Sequence, residues 1–163
     1  YRIIQFYKPK NILELGTSLG ISTSYLAKAD ANAHVFTFEG CPETAKIAKE
    51  NFDKQNITNT SITLGDFNST LSEKLKEIET VDLAFIDGNH QEKPTIAYFE
   101  KCLKHANNNT IFIFDDIHWS DGMENAWNYI KAHPKTTLNI DLFFVGIVFT
   151  KLELSKENFT IRF

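Results

Sequence analysis

The sequence predicts an α/β fold built on a doubly wound, mostly parallel β-sheet. Five short, nearly continuous apolar segments alternate with five segments whose apolar residues recur at helical spacing. Strands that helices cover on both faces have this apolar character. Near the end of the chain, two further apolar segments, 138–144 and 147–151, are separated only by Val145 and Gly146. A connection of two residues can join only antiparallel neighbours, so we predict seven strands that end in an antiparallel hairpin.

The five strands before the hairpin are each followed by a glycine or an acidic residue. They are predicted at residues 12–15, 34–38, 61–64, 81–86 and 110–114. Right-handed crossovers place the carboxyl ends of these strands at one edge of the sheet, where ligands bind in such folds.

Local signals mark where the intervening helices begin. Pro42 and Pro94 suit the first turn of a helix, where no backbone N–H is needed. Thr70 and Asp121 are each followed three residues later by a glutamate, which predicts a capped helix start at each position.

Two segments are predicted to lie outside these elements. The three asparagines at 107–109 are expected to form a turn before the fifth strand. In the C-terminal tail, Phe159, Ile161 and Phe163 alternate with other residues, as they would in a packed edge strand.

Length and composition are typical of one globular domain. The chain has 163 residues, of which 42% are hydrophobic. Seventeen basic and twenty-one acidic residues give a net charge of −4, which disfavours a nucleic-acid partner. No apolar run approaches the roughly 20 residues of a membrane span. With only Cys41 and Cys102 available, we expect reduced thiols and a cytoplasmic protein.

The segment between the first strand and the first long helix has the form of a cofactor loop. Glycines at 16 and 20 suit a tight turn that presents bare backbone N–H groups at a helix N-terminus. The dinucleotide fingerprint Gly-x-Gly-x-x-Gly requires a middle glycine, and Ser18 stands there instead. The carboxylate of Glu14 would repel a diphosphate and attract a cationic ligand.

This segment, from Glu14 to Ser22, resembles the first motif of class I S-adenosylmethionine-dependent methyltransferases, especially the small-molecule O-methyltransferases related to catechol O-methyltransferase. The resemblance extends over about residues 11–151 and implies a Rossmann-like sheet with strand order 3-2-1-4-5-7-6. It also implies a single methyltransferase domain over residues 1–163, with its core at 11–151. Because the chain opens at Tyr1, we expect N-terminal helices upstream of it, and either these or a second subunit would complete the acceptor pocket.

The resemblance implies a set of residues that bind S-adenosylmethionine. The opening motif contributes Glu14, Gly16, Thr17, Ser18 and Gly20. Further along the chain the expected contacts are Glu39, Gly40, Asp66 and Asp87. Glu39 ends the second strand, where an acidic side chain can accept hydrogen bonds from both ribose hydroxyl groups. Asp66 is expected to accept a hydrogen bond from the adenine amino group; the alternative is that it only forms a turn.

Asp87, Asp115 and Asp116 end the fourth and fifth strands and are predicted metal ligands. Carboxylate oxygens suit Mg²⁺ or a similar divalent cation. In metal-dependent O-methyltransferases an Asp-Asn pair follows the fifth strand, and here Asp116 replaces the asparagine. This departure leaves the geometry of the predicted site open.

Asp87-Gly-Asn-His90 resembles the Asp-Gly-x-His signature of methyltransferases that act on sugars or natural products. His90, with Asp87, is the predicted catalytic residue, because imidazole can accept a proton near neutral pH. His118 is a second candidate base or ligand. Trp119 is a candidate wall for an aromatic or sugar acceptor, whereas Trp127 is expected in the core.

The predicted activity is therefore methyl transfer from S-adenosylmethionine to a hydroxyl group of a small molecule. Two alternatives stay open at this point: a non-catalytic protein of the same fold that binds a cofactor or a partner, and an NAD-dependent oxidoreductase. Whether the protein forms a homodimer also stays open.

Overall fold

The computed structural model describes residues 1–162, which form six helices and eight strands. The helices are α1 Arg2–Tyr7, α2 Ile21–Ala29, α3 Pro42–Lys54, α4 Phe67–Ile78, α5 Glu92–Leu103 and α6 Asp121–Ala132. The strands are β1 Asn11–Leu15, β2 His34–Glu39, β3 Thr60–Leu64, β4 Val81–Ile86, β5 Ala106–Asp115, β6 Leu138–Asp141, β7 Val145–Phe149 and β8 Glu157–Thr160.

The strand order confirms the predicted Rossmann-like α/β topology. The sheet runs β3-β2-β1-β4-β5-β7-β6-β8, which is the expected order with one additional strand, β8. No helix among residues 1–162 has the length and apolar character that a bilayer crossing requires.

The chain divides into two compact units, and the first extends from Tyr1 to Ile78. Its three strands pair in parallel, β1 with β2 and β2 with β3. Leu13, Leu15, Val35 and Phe38 are completely buried, as expected for strands that helices cover on both faces. The prediction of a single methyltransferase domain stays a prediction.

The second unit begins at Glu79 and contains both parallel and antiparallel pairs. β4 pairs with β5 in parallel, whereas β7 is antiparallel to both β5 and β6. Its core is aromatic: the ring of Phe99 lies 5.2 Å from that of Phe112 and 5.9 Å from that of Phe114, in edge-on arrangements. Such pairs stabilise a core beyond the area they bury.

Both capped helix starts were predicted a short distance too late. α4 begins at Phe67, and the hydroxyl of Thr70 lies inside the helix, where it donates to the carbonyl oxygen of Asp66. At α6 the cap is Ser120, whose hydroxyl oxygen accepts a hydrogen bond from the backbone N–H of Met123. In each case an earlier polar side chain satisfies the free N–H groups of the first turn.

The asparagine run at 107–109 lies within β5 instead of forming a turn before it. The side chains still make the local hydrogen bonds that favour turns: the N–H of Asn109 donates to Asn107 Oδ1 at 2.7 Å. The pairing of β5 with β4 shifts register between Val81 and Leu83. The prediction therefore missed an irregularity that the strand absorbs without ending.

The hairpin is confirmed, but its turn was placed too late. β6 ends at Asp141, and residues 142–144 connect it to β7, which already contains Gly146. The N–H of Phe143 donates to Asp141 Oδ1 at 2.9 Å and holds this connection. A Cβ atom at Gly146 would lie 2.7 Å from the ring of Trp127. This glycine is therefore required by close packing instead of by a turn.

The two ends of the described chain also differ from expectation. α1 was not predicted. In the tail, β8 is an edge strand paired in parallel with β6, as the alternation indicates. Phe159 is 48% exposed and Ile161 is 46% exposed, so this edge is not packed as predicted. Phe163 lies outside the described residues.

Candidate functional site

In the loop between β1 and α2, residues 16–20, most backbone N–H groups already donate hydrogen bonds within the protein. Those of Gly16 and Thr17 both donate to the carbonyl oxygen of Phe38, at 3.1 and 2.9 Å, and that of Gly20 donates to Thr17 at 2.8 Å. The prediction of bare N–H groups is therefore wrong for these residues. Because phosphate-binding loops depend on free N–H groups, this loop is poorly suited to a diphosphate.

Glu39 is fixed beside this loop by two backbone N–H groups. Its Oε2 accepts from Ser18 at 2.9 Å, and its Oε1 accepts from Cys41 at 2.9 Å. The side chain stands at the end of β2 and is partly exposed. Apart from its two chain neighbours, no heavy atom lies within 4 Å of where a Cβ would be at Gly40, so the space beside this glycine is open. Each carboxylate oxygen keeps acceptor capacity for a further donor.

Glu14 is completely buried, unlike the exposed carboxylate that the sequence suggested. Its Oε2 accepts hydrogen bonds from the hydroxyl groups of Thr23 and Thr37, whereas its Oε1 has no partner. Burial raises the pKa of this carboxyl, and the hydroxyl donors offset only part of that effect. The side chain of Thr17 is also completely buried, so only its backbone could face a ligand.

Gly20 is required by the packing of the loop as well as by its conformation. It lies at the N-cap of α2 with φ of 79°, in the left-handed region. A Cβ atom there would lie 2.5 Å from the ring of Phe52. The tight turn that the sequence predicts at this glycine is confirmed, and packing against Phe52 gives the glycine a second structural reason.

Asp66 is exposed at the end of β3 and caps α4. Its Oδ1 accepts a hydrogen bond from the N–H of Asn68 at 2.9 Å. This is the turn arrangement that the sequence left open as the alternative. A contact with adenine stays a prediction.

In the second unit, the imidazole of His90 lies between two carboxylates. Its Nε2 is 3.7 Å from Asp87 Oδ1, and its Nδ1 is 4.0 Å from Asp116 Oδ2. Both distances exceed that of a hydrogen bond, so the attraction is electrostatic and grows when the ring is protonated. All three side chains are about one-third exposed. The structure thus brings together the predicted catalytic residues.

The three predicted metal ligands do not gather in the same way. Among residues 1–162, no group of three or more histidine, cysteine or acidic side chains is arranged to hold a metal ion. Asp115 ends β5 opposite Val145, and Asp116 follows it with φ of 53°. Asp116 therefore lies just outside the strand, in a backbone conformation that strands do not adopt.

His118 has both ring nitrogens engaged by carboxylates. Its Nδ1 contacts Glu124 Oε2, and its Nε2 lies 2.8 Å from Asp141 Oδ2. Partial burial lowers the pKa of His118, but the hydrogen bonds and charges of the two carboxylates outweigh it, so the pKa is raised. A ring held in this way is a poor general base, contrary to the alternative that the sequence left open.

A cavity of about 200 Å³ lies beside His118 in the second unit. It is lined by Asp116, His118, Trp119, Phe143 and Phe144. Trp119 is 72% exposed and lines this cavity, and its role as a wall for an acceptor stays a prediction, whereas Trp127 is buried in the core as expected.

Sequence reasoning missed the polar residues that support the site. Thr37 lies between two phenylalanines in β2, and Asp141 lies at the end of β6. Both are buried, and both hold a side chain that the sequence did identify, Glu14 and His118 respectively. These residues could have been sought because a buried charged or polar side chain needs hydrogen-bond partners.

Comparisons with known proteins agree on one family. A family model described as a methyltransferase domain matches residues 13–117. The chain is 31% identical over 118 residues to the catechol O-methyltransferase of Niastella koreensis, a match that covers 71% of this chain. It covers 52% of that protein, so the chain spans about half the length of this relative.

Solved structures share the fold. An O-methyltransferase from Bacillus cereus in complex with SAH, S-adenosylhomocysteine, is 25% identical with a TM-score of 0.77, covering 91% of this chain and 77% of that one. The SAH-bound methyltransferase PaMTH1 of Podospora anserina is 20% identical with a TM-score of 0.79, covering 92% and 75%. Since the family model matches more than half of its residues, this chain belongs to the methyltransferase domain family.

Proposed function

We propose that this protein transfers a methyl group from S-adenosylmethionine to a hydroxyl group of a small-molecule acceptor. The observation that supports the proposal most directly is the fixed carboxylate of Glu39, which has the position and acceptor capacity that a ribose diol needs. The relatives named as O-methyltransferases support the choice of oxygen as acceptor.

The donor would bind mainly to the first unit. Glu39 would accept hydrogen bonds from the ribose hydroxyl groups, and Gly40 would leave room for the nucleoside. Gly16, Thr17, Ser18 and Gly20 would contribute backbone surface, since the side chain of Thr17 is buried. Asp66 would accept a hydrogen bond from the adenine amino group, and contact of Asp87 with the donor stays a prediction. Glu14 lies behind this surface instead of on it.

His90 would act as the general base. S-adenosylmethionine supplies a methyl group on a positively charged sulfur, and transfer forms an oxygen–carbon bond while the carbon–sulfur bond breaks. The neutral imidazole would take the proton of the acceptor hydroxyl as that bond forms. The carboxylates of Asp87 and Asp116, at 3.7 and 4.0 Å, would stabilise the resulting imidazolium, which then loses its proton to water.

Asp87, Asp115 and Asp116 would be the ligands if a divalent cation assisted the reaction. Their arrangement in the described residues does not fit a three-ligand site, so we derive no step through a metal. A chelator separates the two mechanisms. Methyl transfer that persists in excess EDTA supports proton transfer to His90, and activity that EDTA abolishes and Mg²⁺ restores replaces that mechanism with a metal-assisted one.

The cavity beside His118 is our proposed acceptor pocket. Exposed aromatic side chains such as Trp119 and Phe144 offer flat apolar surface to a ring, while Asp116 offers an acceptor for a hydroxyl group. Catechol, an aromatic diol, is therefore a suitable first acceptor to test.

Transfer of a tritiated methyl group from S-adenosylmethionine to catechol tests the proposal. Labelled methyl ether that forms with this protein, and not with heat-denatured protein, is the expected result. Binding of S-adenosylhomocysteine without transfer to any acceptor in a panel of phenols and sugars would favour the non-catalytic alternative. A cytoplasmic location and a homodimer stay predictions.

A further inference from the structure

We infer that Glu14 is a positioning residue, which holds the loop between β1 and α2 in its ligand-binding shape through a relay of buried threonine hydroxyl groups. The relay consists of Thr17, Thr23 and Thr37. The inference rests on the proposed function, because the loop is the proposed binding surface for S-adenosylmethionine.

The relay is continuous and closed to solvent. The hydroxyl of Thr37 lies 2.7 Å from Glu14 Oε2, and that of Thr23 lies 2.5 Å from the same oxygen. The hydroxyl groups of Thr17 and Thr37 are 2.6 Å apart. All four side chains have no exposed surface.

Counting protons gives the relay a direction. A hydroxyl group has one proton to donate, and Thr37 donates its proton to Glu14. At the contact between Thr17 and Thr37, the donor must therefore be Thr17. Glu14 Oε2 is the final acceptor for both branches, so removing it leaves the hydroxyl of Thr37 without its acceptor.

The relay reaches both sides of the loop. Thr17 is the second residue of the loop, and Thr23 lies in the first turn of α2, where the chain leaves the loop. Glu14 and Thr37 come from the neighbouring strands β1 and β2. The next residue of β2, Phe38, accepts the N–H groups of Gly16 and Thr17, so side-chain and backbone bonds fix the same turn.

A carboxylate is a costly way to fill this space. Glu14 Oε1 is buried without a hydrogen-bond partner, and burial raises the pKa of the group. An apolar side chain of similar size would avoid the cost of burying an unpaired polar atom. An apolar side chain, however, cannot accept hydrogen bonds from two hydroxyl groups at one atom, and so it cannot connect the loop to α2.

Substitution of the threonine furthest from the carboxylate tests the relay. Thr17→Val keeps the size of the side chain and removes the hydroxyl group, and Thr17→Ser keeps the hydroxyl group. Thr110→Val is the matched control, because Thr110 is equally buried and its hydroxyl donates to the carbonyl oxygen of Val81 in the second unit.

Two measurements are compared: the dissociation constant of S-adenosylhomocysteine by calorimetry, and amide hydrogen exchange of residues 15–20 without ligand. We expect Thr17→Val to weaken binding by about fivefold and to speed exchange of the loop. Thr17→Ser and Thr110→Val should stay within about twofold of the original protein in both measurements. Because Thr17 acts through Thr37, the double Val variant should bind no more weakly than Thr37→Val alone.

Three outcomes overturn the relay: unchanged binding in Thr17→Val, effects of Thr17→Val and Thr37→Val that add, or loop exchange that changes equally in Thr110→Val. If the unsubstituted protein does not bind S-adenosylhomocysteine, the proposed function fails. The exchange measurement then still decides on the relay, since it needs no ligand.

Discussion

Replacing Glu39 by alanine should weaken donor binding without unfolding the protein. The carboxylate is partly exposed and its hydrogen bonds go to two loop N–H groups, those of Ser18 and Cys41. In the variant, both N–H groups can form hydrogen bonds with water instead, so we expect little change in the free energy of unfolding.

The expected loss follows from the hydrogen bonds that the ribose would make. A hydrogen bond to a charged acceptor contributes roughly 1.5–3 kcal/mol, and about 1.4 kcal/mol corresponds to a factor of ten in affinity. Even one such bond to Glu39 therefore predicts a dissociation constant for S-adenosylhomocysteine that is at least about tenfold higher in the alanine variant.

Calorimetric titration with two ligands makes this test specific. S-adenosylhomocysteine and its 2′-deoxy analogue are each titrated into the original protein and into Glu39→Ala. The original protein should prefer the full ligand, and the variant should lose most of that preference, because the interaction partner of the 2′-hydroxyl is gone. Glu43→Ala, an exposed acidic residue in the first turn of α3, is the control. Equal losses for both ligands, or affinity within about twofold of the original, would refute the ribose assignment.

His90→Gln should lower kcat by roughly 10²–10⁴ and leave the dissociation constant of S-adenosylhomocysteine unchanged, as steady-state kinetics and calorimetry would measure, because it removes only proton transfer. Gly146→Ala should destabilise the protein by about 1–3 kcal/mol in urea unfolding, because its Cβ would lie 2.7 Å from a tryptophan ring. The raised pKa of His118 stabilises the folded state fully below its ordinary value of 6.5, and this contribution is lost as pH rises through the higher folded value. The stability advantage of the original protein over His118→Asn should therefore shrink above pH 6.5 in urea titrations.

Two of these expectations have a control variant in the same chain. His105→Gln replaces a half-buried histidine of the second unit that lies outside the proposed site, and it should keep full kcat. Gly40→Ala adds a Cβ with no atom within 4 Å and should leave stability unchanged. A His90→Gln variant with normal kcat excludes the general base. Equal stabilities of the two alanine variants would remove the packing role of Gly146, and an advantage that grows with pH would contradict the sign assigned to His118.

The fold could be predicted from the sequence because its signals are local. Apolar runs such as 81–86 can only be strands covered on both faces, and the short final connection requires a hairpin. The roles of individual glycines were harder to predict from the sequence than the strands were. Gly146 looks like a turn residue, but it is there because the ring of Trp127 lies against β7, and this contact joins residues 19 positions apart.

The candidate site could be predicted only in part for a similar reason. Glu39 ends β2 and His90 comes four residues after the end of β4, so the sequence could predict that each lies at the carboxyl end of its strand. The burial of Glu14 depends on threonines from β2 and α2, and sequence spacing does not show those contacts. The same limit applies to Asp115 and Asp116, which adjoin in sequence but do not form a shared metal group in the described residues.

A comparison of two ligands, each titrated alone, tests the identity of the donor most directly. S-adenosylhomocysteine and NAD⁺ are titrated separately into the protein in a calorimeter, with and without Mg²⁺. A loop whose N–H groups are already bonded, beside a fixed carboxylate, predicts saturable binding of S-adenosylhomocysteine and no binding of NAD⁺. Saturable binding of NAD⁺ with no heat from S-adenosylhomocysteine would contradict it.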